Sequence, residues 1–327
     1  MVWVRKGSSG SFVLILALSS AAGFIISFGG FTLTPIDDTA GSSASEPVVI
    51  PVPVPEPVNS IPLILDIGDL RVPRIRAAAA ILFNPSTGEV LWERNGFAAR
   101  PIASITKVMT ALVLLENQSD FSLDVVISPQ DVYRSSTTHL RRRERISLEN
   151  LLHLALIASD NAAARAIART SRFGTDDFVE RMNRKAIELG LDETRFVDPS
   201  GLDEGNVSSP FDVARLVVMA ASDSKISRVM RKPDYEFRTS RRRVRIRNTN
   251  RLVRGRYIVQ GGKTGYIDEA GYCLAAVVTL PNIADPVAVV VLGAGSNSRR
   301  FSEVRRLVDW VLDEGKSLVA PENHRNR

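Results

Sequence analysis

The stretch Ala99–Glu116, ARPIASITKVMTALVLLE, places a serine and a lysine three residues apart at the start of an almost unbroken apolar run. The residues after Lys107 predict a helix that is hydrophobic on most of its sides, and such a helix is buried. Because a buried lysine is rare unless it is paired or used in chemistry, we expect Lys107 to have a specific role. Ser104 precedes it by one helical turn and shares its face of the predicted helix.

Strand patterns lie on both sides of this helix. Arg76–Asn95 is typical of a strand, a turn and a second strand, and the region from Tyr257 to Gly295 is typical of three strands followed by an amphipathic helix at Ser298–Gly315. Between them, Ser147–Thr170 predicts two helices that meet at ASDN, with Ser147 and Asp160 as N-caps, and a helical or irregular region runs to about residue 232. Strands at both ends with helices between them predict an α+β fold, in which the terminal segments form one antiparallel sheet.

The N-terminal residues are typical of export. Arg5 and Lys6 precede an uncharged stretch from Gly7 to Ile36, so residues 1–36 are interpreted as a cytoplasmic stub plus a signal peptide or an uncleaved signal anchor. The positive flank places the rest of the chain outside the cytoplasm. Residues 37–70 form a proline-rich extracytoplasmic linker, residues 71–316 the globular domain, and residues 317–327 a short tail.

The composition of the chain limits which kinds of disulfide, metal and cofactor chemistry it can support. The chain is 44% hydrophobic with a net charge of +6, and only seven of its 42 basic residues are lysines. A single cysteine, Cys273, excludes an intramolecular disulfide, and its apolar neighbours predict a buried strand thiol. With three histidines and no clustered cysteines, neither a metal site nor a cofactor is indicated.

Three short motifs follow one another along the chain: SITK at Ser104–Lys107, SDN at Ser159–Asn161 and KTG at Lys263–Gly265. A serine hydroxyl is a poor nucleophile until a base removes its proton. A desolvated lysine one turn away has a lowered pKa and can act as that base, whereas arginine stays protonated. We therefore predict that Ser104 is the nucleophile and Lys107 the general base.

The SDN motif and the strand carrying KTG supply further groups for this reaction. Ser159 is predicted to relay a proton to the leaving amine, and the Asn161 amide to hold the substrate backbone. The backbone N–H groups of Ser104 and Tyr266 are predicted to form the oxyanion hole.

The KTG residues are predicted to contact the substrate directly. Lys263 offers a positive charge and Thr264 a hydroxyl to a substrate carboxylate, and Gly265 leaves room for the substrate beside the strand edge. A purely structural alternative remains for each motif, in which the serines cap helices, the lysine side chain reaches the surface, and KTG is a strand entering a turn. His139 and His153 would permit a Ser-His-Asp site instead, but His153 lies in an apolar helix and is interpreted as a core residue.

With these motifs, the sequence resembles the low-molecular-mass penicillin-binding proteins, which are D-alanyl-D-alanine peptidases, over about residues 75–315. The resemblance also includes 151–168, 194–217, 248–255 and 261–276, and the last two are most similar to the endopeptidase branch, which cuts peptide cross-links in the cell wall. It implies a β-lactamase/transpeptidase-like fold, an acyl-enzyme on Ser104, peptidoglycan peptides as substrates and β-lactam antibiotics as inhibitors. It also assigns Arg300, with Arg299 as the fallback, to the substrate's terminal carboxylate.

Three alternatives stay open at this point. A D-Ala-D-Ala carboxypeptidase breaks the same bond with a smaller leaving group. A class A-like β-lactamase shares the motifs but needs a glutamate-bearing loop, and after Glu193 the chain has Phe196 and Val197 where Leu and Asn are expected. A non-enzymatic antibiotic-sensing or wall-binding domain would need a route to the cytoplasm, for which about ten residues before the apolar segment are too few.

The sequence also contains two arginine-rich runs, 139–145 and 237–256. Nucleic-acid binding is the first interpretation of such runs, but export and the scarcity of nearby aromatic residues argue against it. The runs are interpreted as a solvated face with alternating strand charges, with attraction to anionic wall polymer or lipid headgroups as the alternative.

Overall fold

The computed structural model describes residues 73–136, 138–280 and 285–319. The predicted signal segment 1–36 and the linker 37–70 lie outside the described residues. No helix within the described ranges is long and apolar enough to cross a lipid bilayer.

The strands of the described chain follow one another in this order: β1 Ala79–Asn84, β2 Glu89–Arg94, β3 Arg100–Pro101, β4 Asp124–Val126, β5 Arg145–Ser147, β6 Val207–Ser208, β7 Asp234–Arg238, β8 Arg243–Arg247, β9 Ile258–Ile267, β10 Gly271–Thr279 and β11 Val287–Ala294. The α-helices are α1 Lys107–Asn117, α2 Pro129–Val132, α3 Leu148–His153, α4 Asn161–Thr170, α5 Gly174–Glu188, α6 Pro210–Ser222, α7 Ser224–Met230 and α8 Asn297–Val319.

A five-stranded antiparallel sheet joins the two ends of the domain in the order β2-β1-β11-β10-β9. β1 pairs with β11 through Ile81 opposite Val290, and β10 pairs with β11 through Ala275 opposite the same valine. The N-terminal hairpin therefore adds to the three C-terminal strands, and the predicted α+β fold with one sheet from both chain ends is confirmed. β9, which carries KTG, is one of the two edge strands of this sheet.

Each face of the sheet covers its own hydrophobic core. Because strand side chains alternate between faces, Ile81 packs into the core shared with α1, α4 and α6, while Leu82 packs into the core shared with α8. The helical region inserted between β2 and β9 thus lies on one face of the sheet, and α8 closes the other. α1 is buried along most of its length, as the apolar run predicts.

The helix junction at ASDN is confirmed with both predicted caps. The Ser147 side chain accepts from Asn150 N and begins α3, and the Asp160 side chain accepts from Ala163 N and begins α4. Between the two helices, the chain passes through a π-helical turn at Leu154–Ala158 and then through Ser159, whose φ is 61°. Sequence periodicity did not predict this π-helical turn.

The hairpin β7–β8 was also missing from the sequence-based assignment. Its inner face is apolar, through Phe237, Val244 and Ile246, and its outer face carries arginines and carboxylates. Exposed charged residues therefore alternate with buried apolar ones along these strands, as the sequence pattern predicts, although the hairpin itself was not foreseen.

Candidate active site

Ser104 lies on a 3₁₀ turn at Ala103–Thr106, shortly after the short strand β3 and directly before α1. Ser104 and Lys107 share one face at the start of the buried helix, as predicted, although the first turn is 3₁₀ and the α-helix α1 begins only at Lys107. Ala103 has φ 48°, a strained value for a residue with a Cβ, and this sharp turn leaves Ser104 half-buried. The Ser104 side chain does not cap α1, since Thr106 occupies the N-cap position.

Lys107 is fully buried, so the alternative in which its side chain reaches the surface is wrong. Its Nζ donates to Ser104 Oγ at 2.9 Å, to Asn161 Oδ1 at 2.6 Å and to the Ser200 carbonyl oxygen at 2.5 Å. Burial lowers the pKa of Lys107 to about 7, although the negative charges of Asp198 and Asp160 act in the opposite direction. The amine therefore exchanges its proton near neutral pH.

The three contacts of Lys107 determine where its lone pair can point. The side-chain oxygen of Asn161 and the carbonyl of Ser200 can only accept hydrogen bonds, so they take the two N–H groups of the neutral amine. The remaining direction leads to Ser104 Oγ, which has a proton to give. The geometry thus orients the neutral lysine as a base toward the serine hydroxyl.

Asn161 is held rigidly at the first turn of α4. Its Nδ2 donates to the Ser135 carbonyl at 2.8 Å and to Ser136 Oγ at 3.1 Å, and this fixes the amide so that Oδ1 faces Lys107. The neighbouring Asp160 is fully buried and accepts from His139 N at 2.6 Å in addition to capping the helix. SDN is therefore joined to SITK on one side and to Ser135, Ser136 and His139 on the other.

Ser159 and Lys263 form a second serine–lysine pair. Lys263 Nζ donates to Ser159 Oγ at 2.6 Å and to the Thr264 carbonyl at 2.9 Å. Ser159 is half-buried in a left-handed conformation and ends the π-helical turn through its backbone N–H, which leaves its hydroxyl free to contact Lys263. Burial, and then the charges of Lys107 and Arg300, hold the pKa of Lys263 well below its ordinary value.

Strand β9 passes directly beside the turn that carries Ser104. A Cβ on Gly265 would lie 2.7 Å from the Ile102 carbonyl oxygen and 3.1 Å from Ser104 N, so only glycine allows this approach. Gly265 is thus required by the protein's own packing, whereas the sequence prediction explained it by substrate clearance alone. Thr264 is buried, and its Oγ1 donates to Thr249 Oγ1 at 2.7 Å.

Arg300 lies in the first turn of α8 and reaches the same strand from the other side. Its Nη1 donates to the carbonyls of Gly265 at 2.9 Å and Cys273 at 3.2 Å, and its Nη2 donates to Asn297 Oδ1 at 2.6 Å. Burial lowers the pKa of Arg300 to about 10. Tyr266 follows Gly265 and is half exposed, and its ring packs on Tyr272 with 4.2 Å between the centroids.

The loop 198–206 completes the site, and no motif in the sequence indicated its role. The Asp198 carboxylate accepts from the backbone N–H groups of Ser200, Gly201 and Asp203 and from the side chains of Ser200 and Asn206. This network aims the Ser200 carbonyl at Lys107. Because that contact uses a backbone oxygen, no residue type at position 200 could have indicated it.

Gly201 fits this loop against the nucleophile turn. It has φ +76°, and a Cβ there would lie 2.1 Å from the Ala103 carbonyl oxygen and 2.9 Å from Thr106 Oγ1. Glu193, the residue compared above with the glutamate of class A β-lactamases, is exposed, and only its backbone N–H is hydrogen-bonded, to Asp212. Among the described residues near Lys107, the carboxylates of Asp198 and Asp160 are both occupied by protein donors.

Two further predictions concern residues outside this cluster. His153 is buried and stacked on Tyr235, and its ring nitrogens contact the Glu149 carbonyl oxygen and Lys232 Nζ, so its interpretation as a satisfied core residue is confirmed. Cys273 is a buried thiol on β10, and burial raises its pKa to about 11. Within the described residues, no group of three or more His, Cys, Asp or Glu side chains could hold a metal ion.

The sequence and the fold of this chain are similar to those of known proteins. A family model described as D-alanyl-D-alanine carboxypeptidase matches residues 69–296, which include all three motifs. The chain is 36% identical over 252 residues to the D-alanyl-D-alanine endopeptidase of Pseudomonas aeruginosa, covering 76% of this chain and 80% of that protein. It is 34% identical over 254 residues to the D-alanyl-D-alanine endopeptidase of Escherichia coli K12, covering 76% and 81% respectively. The solved structure of the Streptomyces K15 DD-transpeptidase superposes with a TM-score of 0.68 at 26% identity, over 75% of this chain and all of that chain.

Proposed function

Because the chain belongs to the D-alanyl-D-alanine carboxypeptidase family of serine peptidases, we propose that it cleaves the D-Ala–X bond of peptidoglycan stem peptides through an acyl-enzyme on Ser104. The observation that carries this proposal is the contact between the buried Lys107 Nζ and Ser104 Oγ at 2.9 Å. The resemblance to low-molecular-mass penicillin-binding proteins and the transpeptidase-like fold are confirmed by the same comparisons.

Acylation begins with the neutral form of Lys107. As Ser104 Oγ attacks the carbonyl carbon of D-Ala, its proton passes to Lys107 Nζ, while Asn161 and Ser200 keep the amine in place. Negative charge develops on the carbonyl oxygen between the backbone N–H groups of Ser104 and Tyr266. Preorganised donors of this kind each contribute about 10²–10³ in rate.

Collapse of the tetrahedral intermediate breaks the C–N bond. The leaving amine needs a proton, and Ser159 supplies it from a hydroxyl that Lys263 holds by a hydrogen bond to its oxygen. Lys107 then gives up the proton taken from Ser104 to replace the one that Ser159 lost, so both groups end acylation as they began it. Water attacks the acyl carbonyl and gives one proton to neutral Lys107, which passes that proton to Ser104 Oγ as the acyl–oxygen bond breaks.

Lys263, Thr264 and Arg300 are assigned to binding the substrate. The depressed pKa of Lys263 means that its charged form is costly in the empty site, because burial and two neighbouring cations oppose it. A substrate carboxylate bound beside Lys263 and Thr264 would offset that cost. Arg300 donates to Gly265 O and thereby holds β9, so it would act on a substrate carboxylate and on the strand position together.

We further propose that the leaving group is a second peptide, which makes the enzyme an endopeptidase. The support is that the Pseudomonas and Escherichia relatives described above bear that name at 34–36% identity. The test is to incubate the purified full-length protein with cross-linked muropeptide dimers and, separately, with monomeric pentapeptides, and to identify the products by mass. Faster conversion of dimers to monomers supports an endopeptidase, and faster release of free D-alanine from pentapeptides would assign a carboxypeptidase.

Residues 1–36 support a proposal about location. We infer export of the domain to the periplasm or the cell-wall face, with the N-terminal segment as the signal and, if it is not cleaved, as the membrane anchor. The mass of the mature protein from its own cells decides between the two, since cleavage removes at least the apolar stretch. A mature protein that keeps residues 1–36 and is released by salt alone would contradict the anchor.

A further inference from the structure

We propose that the exposed arginines of segments 139–145 and 237–247, here called the arginine surface, bind the acidic peptide strands of the polymeric substrate beside the active site. This inference rests on the proposed function, because it names what the same site's substrate offers outside the cleaved bond. Nine arginines in these two segments are exposed.

Hydrogen bonds from backbone N–H groups join the two segments into one surface. Ser240 N donates to the Arg145 carbonyl at 2.9 Å, and Arg145 N donates to Ser240 Oγ at 3.0 Å. The buried Glu144 accepts from Arg242 Nε at 3.0 Å, which fixes the turn of the β7–β8 hairpin against the loop. Two arginine runs that lie almost 100 residues apart in sequence thus form one continuous patch.

The charge on this surface is far larger than its fold requires. Segments 139–145 and 234–247 contain ten arginines and three carboxylates, a net charge of +7 against +6 for the whole chain. Glu144 is paired with Arg242, and the two hairpin carboxylates are paired with Arg243 and Arg245. The guanidinium groups of the seven other arginines make no hydrogen bond or ion pair with any of the described residues.

The hairpin even places like charges opposite each other. Arg238 and Arg243 are directly paired across β7 and β8, an arrangement that destabilises a sheet. Arg243, Arg245 and Arg247 share one face at about 6.8 Å intervals. Glu236 and Asp234 are paired with Arg243 and Arg245 of this row, so the unpaired Arg238 and Arg247 at its two ends are the cations that suit a partner with repeated anionic groups.

The arginine surface is fixed to the catalytic residues at two points. In the loop, His139 N donates to the carboxylate of Asp160, the residue after Ser159. Beyond β8, Thr249 N donates to the Ile157 carbonyl, and Thr249 Oγ1 accepts from Thr264 Oγ1. These contacts place the arginine surface next to the residues of SDN and KTG.

The arginine surface has many guanidinium groups and no large exposed apolar side chains, and this indicates the chemistry of its partner. Guanidinium groups bind carboxylates and phosphates through paired hydrogen bonds. Anionic lipid headgroups attract such cations as well, but a surface that inserts into the bilayer adds exposed apolar side chains, and no described residue of 138–145 or 234–247 is a large exposed apolar one. We therefore assign the surface to the carboxylate-bearing peptides of the wall polymer, whose many copies raise the local concentration of cleavable bonds.

The test compares two triple variants of the full-length protein. Arg238→Gln, Arg241→Gln and Arg247→Gln together remove three unpaired charges from the arginine surface. The control, Arg76→Gln, Arg184→Gln and Arg305→Gln, removes three exposed charges from the N-terminal segment, α5 and α8. Each protein is sedimented with insoluble peptidoglycan and with phosphatidylglycerol vesicles at increasing salt, and each is assayed for penicillin acylation.

The surface variant should bind peptidoglycan roughly tenfold more weakly than the control at low salt, with a shallower dependence on salt, and both should acylate at the rate of the unmodified protein. Equal sedimentation of the two variants would overturn the inference, as would arginine-dependent binding to the vesicles alone. If the proposed function itself is wrong, the unmodified protein will show no acylation by penicillin. That result is distinct from the sedimentation results, which test only the arginine surface.

Discussion

Lys107 is the residue on which the chemistry of this site depends. Its amine is fully buried, contacts Ser104, Asn161 and Ser200, and has a pKa lowered to about 7 by burial. The sequence predicted the roles of Ser104 and Lys107 because residue type and spacing express them. It could not predict the Ser200 carbonyl or the Asp198 network, since backbone acceptors leave no pattern in residue type.

Lys107→Arg should lower acylation by at least about a hundredfold, the lower range for a lost general base. Arginine keeps the positive charge but does not release its proton to become a base. The rate constant of fluorescent-penicillin labelling measures the effect, with circular dichroism as the control for folding. Labelling within a few-fold of the unmodified protein would make Lys107 an electrostatic or packing residue instead.

Acylation should also depend on pH through the same amine. The base works only when deprotonated, so the labelling rate should rise about tenfold per pH unit below 7 and level off above it. The unfolded chain, with a lysine pKa of 10.5, holds more protons between pH 7 and 10.5. This group therefore makes the folded state more stable as pH rises through that window.

Lys107→Met provides the matched control for the stability effect. In this variant, the increase in unfolding free energy between pH 7 and 10.5 should be smaller, because the titrating amine is gone. Chemical denaturation at several pH values measures the difference. A labelling rate of the unmodified protein that keeps rising about tenfold per pH unit well above pH 8 would contradict a lowered pKa.

At the scale of elements, the site depends on close approach between a turn, a strand and a loop. Gly265 lets β9 lie against the Ser104 turn, and Gly201 lets the 198–206 loop lie against the same turn. The sequence predicted the strand, the helix α1 and both caps at Ser147 and Asp160, because apolar periodicity and capping residues are local signals. It missed the 3₁₀ turn, the π-helical turn and the β7–β8 hairpin, because tertiary contacts stabilise them.

Gly201→Ala should therefore cost more stability than a substitution at another glycine with positive φ. Gly88 has φ +79°, and a methyl group added there would meet no atom within 4 Å, so Gly88→Ala should cost only the backbone strain of about 1–2 kcal/mol. At Gly201 the added methyl group also overlaps the Ala103 carbonyl oxygen and should cost a further ~1–3 kcal/mol. Urea denaturation of both variants measures the difference, and equal losses would show that the loop moves freely from the turn.

Gly201→Ala should also slow acylation, since the loop supplies the Ser200 carbonyl that holds Lys107. Gly88→Ala should label with penicillin at the unmodified rate. If Gly201→Ala labelled equally fast while losing stability, the loop would support the fold without positioning the base.

At the scale of the whole molecule, one sheet holds the two ends of the domain together and presents KTG at its edge, while the helical region presents SITK and SDN against it. This architecture was predictable from strands at both chain ends. The spatial union of the two arginine runs was not, because it depends on contacts such as Arg242 with Glu144. The same architecture serves peptidases and β-lactamases, so the fate of the acyl-enzyme distinguishes them.

Among the described residues around Ser104, no free carboxylate lies where a β-lactamase needs one to activate water. Glu193 is exposed, and the Asp198 carboxylate is occupied by five donors of its own loop. With a peptide substrate, the leaving amine diffuses away and water can enter. With penicillin, the opened ring keeps the amine tethered in front of the acyl carbonyl, so deacylation should be slow.

The most direct measurement is the intact mass of the full-length protein, followed over time after mixing with excess penicillin and removal of the free drug. We expect one adduct on Ser104 that persists for minutes or longer, and no adduct on Ser104→Ala. Rapid return to the unmodified mass with many drug molecules hydrolysed per protein would contradict the peptidase account and assign a β-lactamase. An adduct that persists on the Ser104→Ala variant would contradict Ser104 as the nucleophile.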